Sequence, residues 1–388
     1  MPPPAVAPAP YPQDIRSLTS LRIFLALGVV LFHFQLQTNH DAGYSPIIER
    51  SRLAVDAFFM LSGFIMAHVY GPSVAAGAFN YRAFVVARIA RLYPLHLVTL
   101  LFSLLMVVVA ASLGVAYEAS TYSVRGFFEA LFLVHAWFPT DTGINWNGPT
   151  WSLSAEWFAY LTFPLFAFAA LKLRRYPLVL LGLGVLSFIL IDALYRQAFG
   201  KVLPRAENLL GIARVTPEFL IGMGLYGVGR LIHVTPRLAI CATLSSVVAL
   251  LVAMQFSLDD RIVVALTAPV ILSFALLAKA NCEGFLASRP LVFAGEVSFA
   301  LYMVHMPVLI AWKSLVSEVH GIDSGFEVSI PELAGLVVAA LMVAVAMHML
   351  VERPGRHWVR RWLGRRSTRP AAASELVSSV SPLPDSSV

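Results

Sequence analysis

Apolar runs of about twenty residues recur along this chain from residue 21 to residue 352, the length an α-helix needs to cross a hydrocarbon core about 30 Å thick. The stretch "LVTLLFSLLMVVVAASLGV" is apolar throughout, whereas a membrane β-strand alternates apolar and polar residues over about ten positions. Backbone that crosses lipid must satisfy its own hydrogen bonds, so runs of this kind are helices. The fold class that follows is all-α, a polytopic membrane helix bundle. Composition agrees: 58% of the 388 residues are hydrophobic, and the 13% that are charged fall well below soluble usage of about 25%.

Reading the runs against that length predicts ten spans, near 18–37, 54–70, 91–113, 151–171, 177–194, 215–231, 238–256, 262–279, 291–314 and 332–352. The piece "GFFEALFLVHAWF", 126–138, is too short to cross and reads as a re-entrant or interfacial helix. With both termini cytoplasmic, 19 of the 28 Lys and Arg fall on the inner side and nine on the outer side, which supports the count. One membrane domain, 18–354, is expected between a Pro- and Ala-rich disordered cytoplasmic tail, 1–17, and residues 355–388. That last segment begins with the basic amphipathic stretch "RPGRHWVRRWLGRRSTR", expected to lie against anionic lipid or to act only as a topology anchor. It ends in a disordered tail.

The first run lacks a small-x-small cleavage site and is expected to stay in the protein. The basic residues, giving a net charge of +6, sit between spans and after the last one, which argues against nucleic-acid binding. Cys241 and Cys282 lack metal or disulfide spacing, and no metal site is expected.

Ionisable residues inside spans cost about 2.5–3.5 kcal/mol each on insertion scales, so each is a candidate site residue. Arg22 and His33 bracket the run "RIFLALGVVLFH". Eleven steps of about 100° come within about 20° of three full turns, so both share one helix face about 16 Å apart. Arginine's planar fork suits phosphate, and histidine suits proton transfer from a hydroxyl near neutral pH; a snorkelling anchor and a packed histidine are the structural alternative.

Asp56 opens "VDAFFMLSGF", either to orient an imidazole or to cap its helix, and Ser62-Gly63 in the same motif favours close helix packing. Arg88 and Arg91 lie three apart in "RIARLYP", suited to gripping nucleotide phosphates or serving as ordinary positive-inside charge. "NWNGPTWSLSAEWFAY" carries Ser152, Ser154 and Glu156, and Glu156 stands about a turn into an apolar span without a proper capping box. "GEVSFALYMVHMP" carries Glu296, Ser298, Tyr302 and His305 in one span, and "VERP" ends the last span with Glu352 and Arg353. Several such residues in one bundle point to a shared polar cavity.

In this order these six motifs resemble integral membrane acyltransferase family 3, the bacterial cell-envelope O-acyltransferases, over about residues 18–354. The resemblance implies a standalone ten-helix enzyme, without an esterase-like extracytoplasmic domain, in the bacterial inner membrane. It would move an acyl group, usually acetyl, from cytoplasmic acyl-CoA to a hydroxyl of a cell-envelope or exported polysaccharide. A small molecule or a lipid-linked sugar modified at the cytoplasmic face is the alternative acceptor, and polysaccharide synthesis machinery is an implied partner. By position Arg22 and His33 inherit essential status, and Arg88 and Arg91 match the arginines of the donor side. On this reading Arg22, Arg88 and Arg91 hold the CoA phosphates, while His33 acts as general base or acyl carrier. Asp56 or Glu156 would orient or charge-balance the imidazole. The rival from another class, a proton-coupled transporter of envelope precursors, lacks its usual sign, an internal repeat with paired broken spans.

Overall fold

In the computed structural model, residues 10–38, 45–114, 121–139, 146–322 and 325–364 are described. Fourteen α-helices account for most of them, with no strand among the described residues. They are α1 Arg16–Gln35, α2 Pro46–Arg50, α3 Ala54–Ala75, α4 Tyr81–Ser112, α5 Val124–Leu131, α6 Trp151–Leu161 and α7 Phe163–Lys172. The chain continues through α8 Pro177–Phe199, α9 Gly211–Leu231, α10 Pro236–Gln255, α11 Asp260–Lys279, α12 Arg289–His320, α13 Ile330–Met347 and α14 Arg353–Gly364. A π-helical turn, His348–Glu352, joins the last two.

Each of the ten expected spans corresponds to helix, but they are not ten equivalent crossings. Among the described residues, eight helices are long and apolar enough to cross a membrane: α1, the unit Pro46–Ala75, α4, α8, α10, α11, α12 and Ile330–Leu363. The segment expected at 151–171 is a bent pair, α6 and α7, broken by 56° around Thr162; counted as one broken span it makes a ninth. Pro164 explains the break, since proline has no N–H to give and is tolerated only in the first turn of the new helix. The tenth segment, α9, is 21 residues long but carries Arg214 and Glu218 fully inside the bundle, which lowers its hydropathy. As its length suggested, the 126–138 piece does not cross: α5 has eight residues and ends before Leu133, whose φ is 56°.

Two tight crossings organise the bundle. A Cβ on Gly63 would overlap the Phe219 carbonyl oxygen, and one on Gly222 would overlap that of Met60, so α3 and α9 meet backbone to backbone. At Gly295 the same steric demand brings α12 onto Thr19 and Ser20 of α1. The helices carrying the polar motifs are therefore central, while α4, α8, α10 and α13 turn wide apolar faces outward.

The N-terminal expectation needs correcting. Residues 1–9 lie outside the described residues, as do residues 365–388, but the chain is already packed by Tyr11. The ring of Tyr11 is buried, stacked 5.8 Å from Tyr226 and edge-on to Phe64 at 5.6 Å, and Ile15 is buried beside it. Pro and Ala content pointed to a tail, yet Tyr11, Ile15 and Ser17 within it are buried against the bundle.

Candidate functional site

A cavity of about 310 Å³ opens between α1, α3, α4, α6, α12 and α14. Arg22, Arg88 and Arg91 line it together with Ser62, Ser152, Glu156, Ser298 and Tyr302, so eight of the expected residues, from five separate motifs, converge on one space.

The three guanidiniums have no carboxylate partner: none of Arg22, Arg88 and Arg91 forms an ion pair among the described residues. Arg88 donates to the Tyr70 hydroxyl at 3.2 Å and lies over the rings of Tyr160, Tyr70 and Phe84 at 5.3, 5.6 and 5.6 Å, with its buried Nε unpartnered. Arg91 lies 5.8 Å over Phe299. Ring faces hold these cations in place without neutralising them, so the cavity wall keeps an excess of positive charge. Glu156 sits in the same cavity, accepting from Tyr160 Oη at 2.5 Å and from Ser62 Oγ at 2.7 Å. Its partners are hydroxyls, and among the described residues it makes no hydrogen bond to an imidazole.

His33 lines a second cavity of about 130 Å³ that meets the first at Val55 and Tyr302, residues common to both walls. The helix repeat still places Arg22 and His33 about 16 Å apart along α1, and the structure puts Arg22 in the wall of the larger cavity and His33 in the wall of the smaller one. Nδ1 of His33 lies 3.0 Å from the Val29 carbonyl and 3.1 Å from Nε2 of His305. The other ring nitrogen of His305, Nδ1, lies 2.7 Å from the Tyr302 carbonyl. Carbonyl oxygens only accept, so in the neutral rings each Nδ1 carries the hydrogen, and His305 Nε2 accepts from His33. This assignment leaves His33 Nε2 with the free lone pair, the form a general base requires.

Asp56, expected as a partner of the imidazole, is committed elsewhere. Its carboxylate takes two hydrogen bonds from Arg214, at 2.9 Å from Nε and 2.5 Å from Nη2, with both side chains buried. Arg214 in turn lies 5.0 Å over Trp151 and donates to the Ala206 carbonyl at 3.3 Å. The carboxylate therefore fixes a cation in the wall of the His33 cavity and does not touch the histidine.

Other expected residues divide the same way. Tyr302 Oη meets Ser152 Oγ at 2.7 Å and the Pro149 carbonyl at 2.9 Å, which fixes the ring between the two cavities. Ser298 donates to Gly295 O at 2.7 Å and faces the larger one. Ser154 is structural: its hydroxyl bonds Leu133 O at 2.8 Å and receives Ala136 N at 3.1 Å, tying the segment after α5 to α6. Glu296 and Arg353 are exposed and line neither cavity, because each lies on the outer face of its helix. Glu352 is buried and holds His348 at 2.8 Å and Arg356.

Four residues missed from the sequence complete the walls. Arg356 and Arg360 of α14 line the larger cavity; Arg52 and Arg214 line the smaller one, Arg52 held by Asp260 at 2.6 Å. Charge in the loops and in the C-terminal basic stretch looked like ordinary topology signal. Only Arg214, together with Glu218 inside an apolar run, carried a local sign of burial.

Comparisons with known proteins bear on the family. Residues 15–349 match the family described as an acyltransferase domain. Over 94% of this chain and 96% of the relative's length, it is 31% identical to acyltransferase MdmB of Streptomyces mycarofaciens. It is also 22% identical to O-acetyltransferase OatA of Staphylococcus aureus, over 77% of this chain and 51% of that protein. No solved structure matches. With a helical bundle, a polar cavity and the family match covering nearly all of it, the chain belongs to the membrane acyltransferases of this family.

Proposed function

We propose that the protein is an O-acyltransferase that takes its acyl group from acyl-CoA, held by Arg22, Arg88 and Arg91, and passes it to a hydroxyl positioned at His33. The observation that carries the donor reading is the set of three guanidiniums without an ion-pair partner among the described residues, facing a cavity that shares Val55 and Tyr302 with the one His33 lines. Such a wall calls for a polyanion, and the phosphates of CoA supply one while the pantetheine arm spans the remaining distance.

In the transfer step, the His33 Nε2 lone pair takes the proton of the acceptor hydroxyl as its oxygen bonds to the thioester carbonyl carbon. The carbon–sulfur bond then breaks, and the departing thiolate takes the proton from the imidazolium, restoring the starting histidine. His305 holds the ring in the reactive tautomer. Trp151, Glu207, Arg52 and Arg214 around the smaller cavity offer an aromatic plane and polar side chains, a lining suited to sugar hydroxyls. We assign the acceptor to a cell-envelope or exported polysaccharide. On the positive-inside count, the arginine end faces the cytoplasm and the histidine end faces outward, with the protein in the cytoplasmic membrane.

Purified protein supplied with acetyl-CoA should release free thiol, and His33→Gln should abolish the release while leaving the protein folded. An active His33→Gln enzyme would overturn the mechanism. Mass spectrometry of envelope glycans from a deletion strain reads the acceptor: unchanged glycans would exclude the polysaccharide and leave a small hydroxyl compound or a lipid-linked sugar.

A further inference from the structure

Resting on the acyl-CoA reading of the larger cavity, we infer that the C-terminal helix α14 reads the 3′-phosphate on the ribose of CoA through Arg356 and Arg360.

The cavity holds its guanidiniums in two groups. Arg22, Arg88 and Arg91, from α1 and α4, are half-buried. Arg356, 30% exposed, and the more open Arg360 both come from α14 and form the outer rim. The wall also holds Glu156 and Ser62, and Tyr302, which the His33 cavity shares. CoA likewise carries its charge in two groups. Counting back from the thioester, the diphosphate follows the pantetheine arm, and the 3′-phosphate lies farther out, on the ribose. Placing the thioester at Tyr302 sets the diphosphate at the inner group and the 3′-phosphate at the outer one.

The helix is built to hold that position. Buried Glu352, hydrogen-bonded by His348 within the π-helical turn, grips Arg356. Gly355 packs on Pro94, a contact no side chain would permit, and so lays α14 along α4 one turn beyond Arg91. Arg360 forms no ion pair among the described residues. About 200° around the helix from Arg356, Trp358 and Trp362 stack at 5.9 Å and point outward, 64% and 62% exposed, as interfacial anchors. One face of α14 meets lipid, and the other completes the donor site.

The test titrates the purified full-length protein with CoA and with dephospho-CoA, which lacks only the 3′-phosphate, by calorimetry. The wild type should prefer CoA by about tenfold or more. Arg356→Gln with Arg360→Gln should bring the two affinities within about twofold by weakening CoA alone. Arg22→Gln should weaken both ligands by a common factor and keep the preference, and Arg353→Gln, on the exposed face of the same helix, should change neither. A double variant that keeps the preference, or that weakens both ligands equally, overturns the assignment. If the double variant does not fold, Arg360→Gln alone decides, because Arg360 holds no ion pair. A wild type that binds neither ligand removes the acyl-CoA reading itself, an outcome distinct from a preference that α14 does not control.

Discussion

Nε2 of His305 lies 3.1 Å from Nδ1 of His33, and the far side of the His305 ring is fixed 2.7 Å from the Tyr302 carbonyl. The residue that orients the His33 imidazole is thus a second, fully buried histidine from α12. His305→Ala should lower kcat by about tenfold to a hundredfold while leaving KM for acyl-CoA nearly unchanged, since His305 lines neither cavity. His305→Gln, whose side-chain amide still offers an acceptor, should recover part of the loss. A steady-state split of kcat from KM checks this, and a KM effect of equal size would contradict the positioning role.

The inner arginines should behave as donor-binding residues. Arg88→Gln keeps a polar side chain but removes a charge-assisted contact, and about 1.5–3 kcal/mol of lost interaction corresponds to a KM for acyl-CoA raised by roughly tenfold to a hundredfold. The loss should be larger for acyl-CoA than for acyl-pantetheine, which has no phosphates. An equal loss for both substrates would show that Arg88 acts only through packing on Tyr70 and Tyr160.

Removing one half of the Asp56–Arg214 pair should unfold the bundle locally. Both side chains are buried, and leaving one charge without its partner costs about 3–5 kcal/mol. Asp56→Ala should lower the melting temperature sharply, whereas Asp56→Leu combined with Arg214→Met should restore much of it. Differential scanning fluorimetry in detergent reads both. A double variant no more stable than Asp56→Ala would mean that the pair does more than balance charge.

The α3–α9 crossing tolerates no side chain. Gly63→Val drives a branched side chain into the Phe219 carbonyl, and Gly222→Val does the same at Met60. Either should eliminate monodisperse protein on size-exclusion chromatography, whereas Gly182→Val on α8, where a Cβ meets nothing within 4 Å, should leave the elution profile intact.

The sequence by itself determined the class of fold and most of the inventory of the site. Length and hydropathy of the apolar runs specify transmembrane helices because lipid offers the backbone no partner. The same cost marks Arg22, His33, Glu156, Tyr302 and His305, since a polar side chain inside such a run needs a reason to be there. The helix repeat was enough to put Arg22 and His33 on one face.

Which polar groups touch was decided only in three dimensions. Asp56 is separated from Arg214 by 158 residues, and His33 from His305 by 272, so no local spacing encodes either pair. The α3–α9 and α1–α12 crossings that create them depend on Gly63, Gly222 and Gly295 fitting against backbone of distant helices. For Arg356 and Arg360 the limit is different. A basic stretch after a last span has an ordinary electrostatic role, and only the packing of Gly355 on Pro94 turns one face of it into a cavity wall.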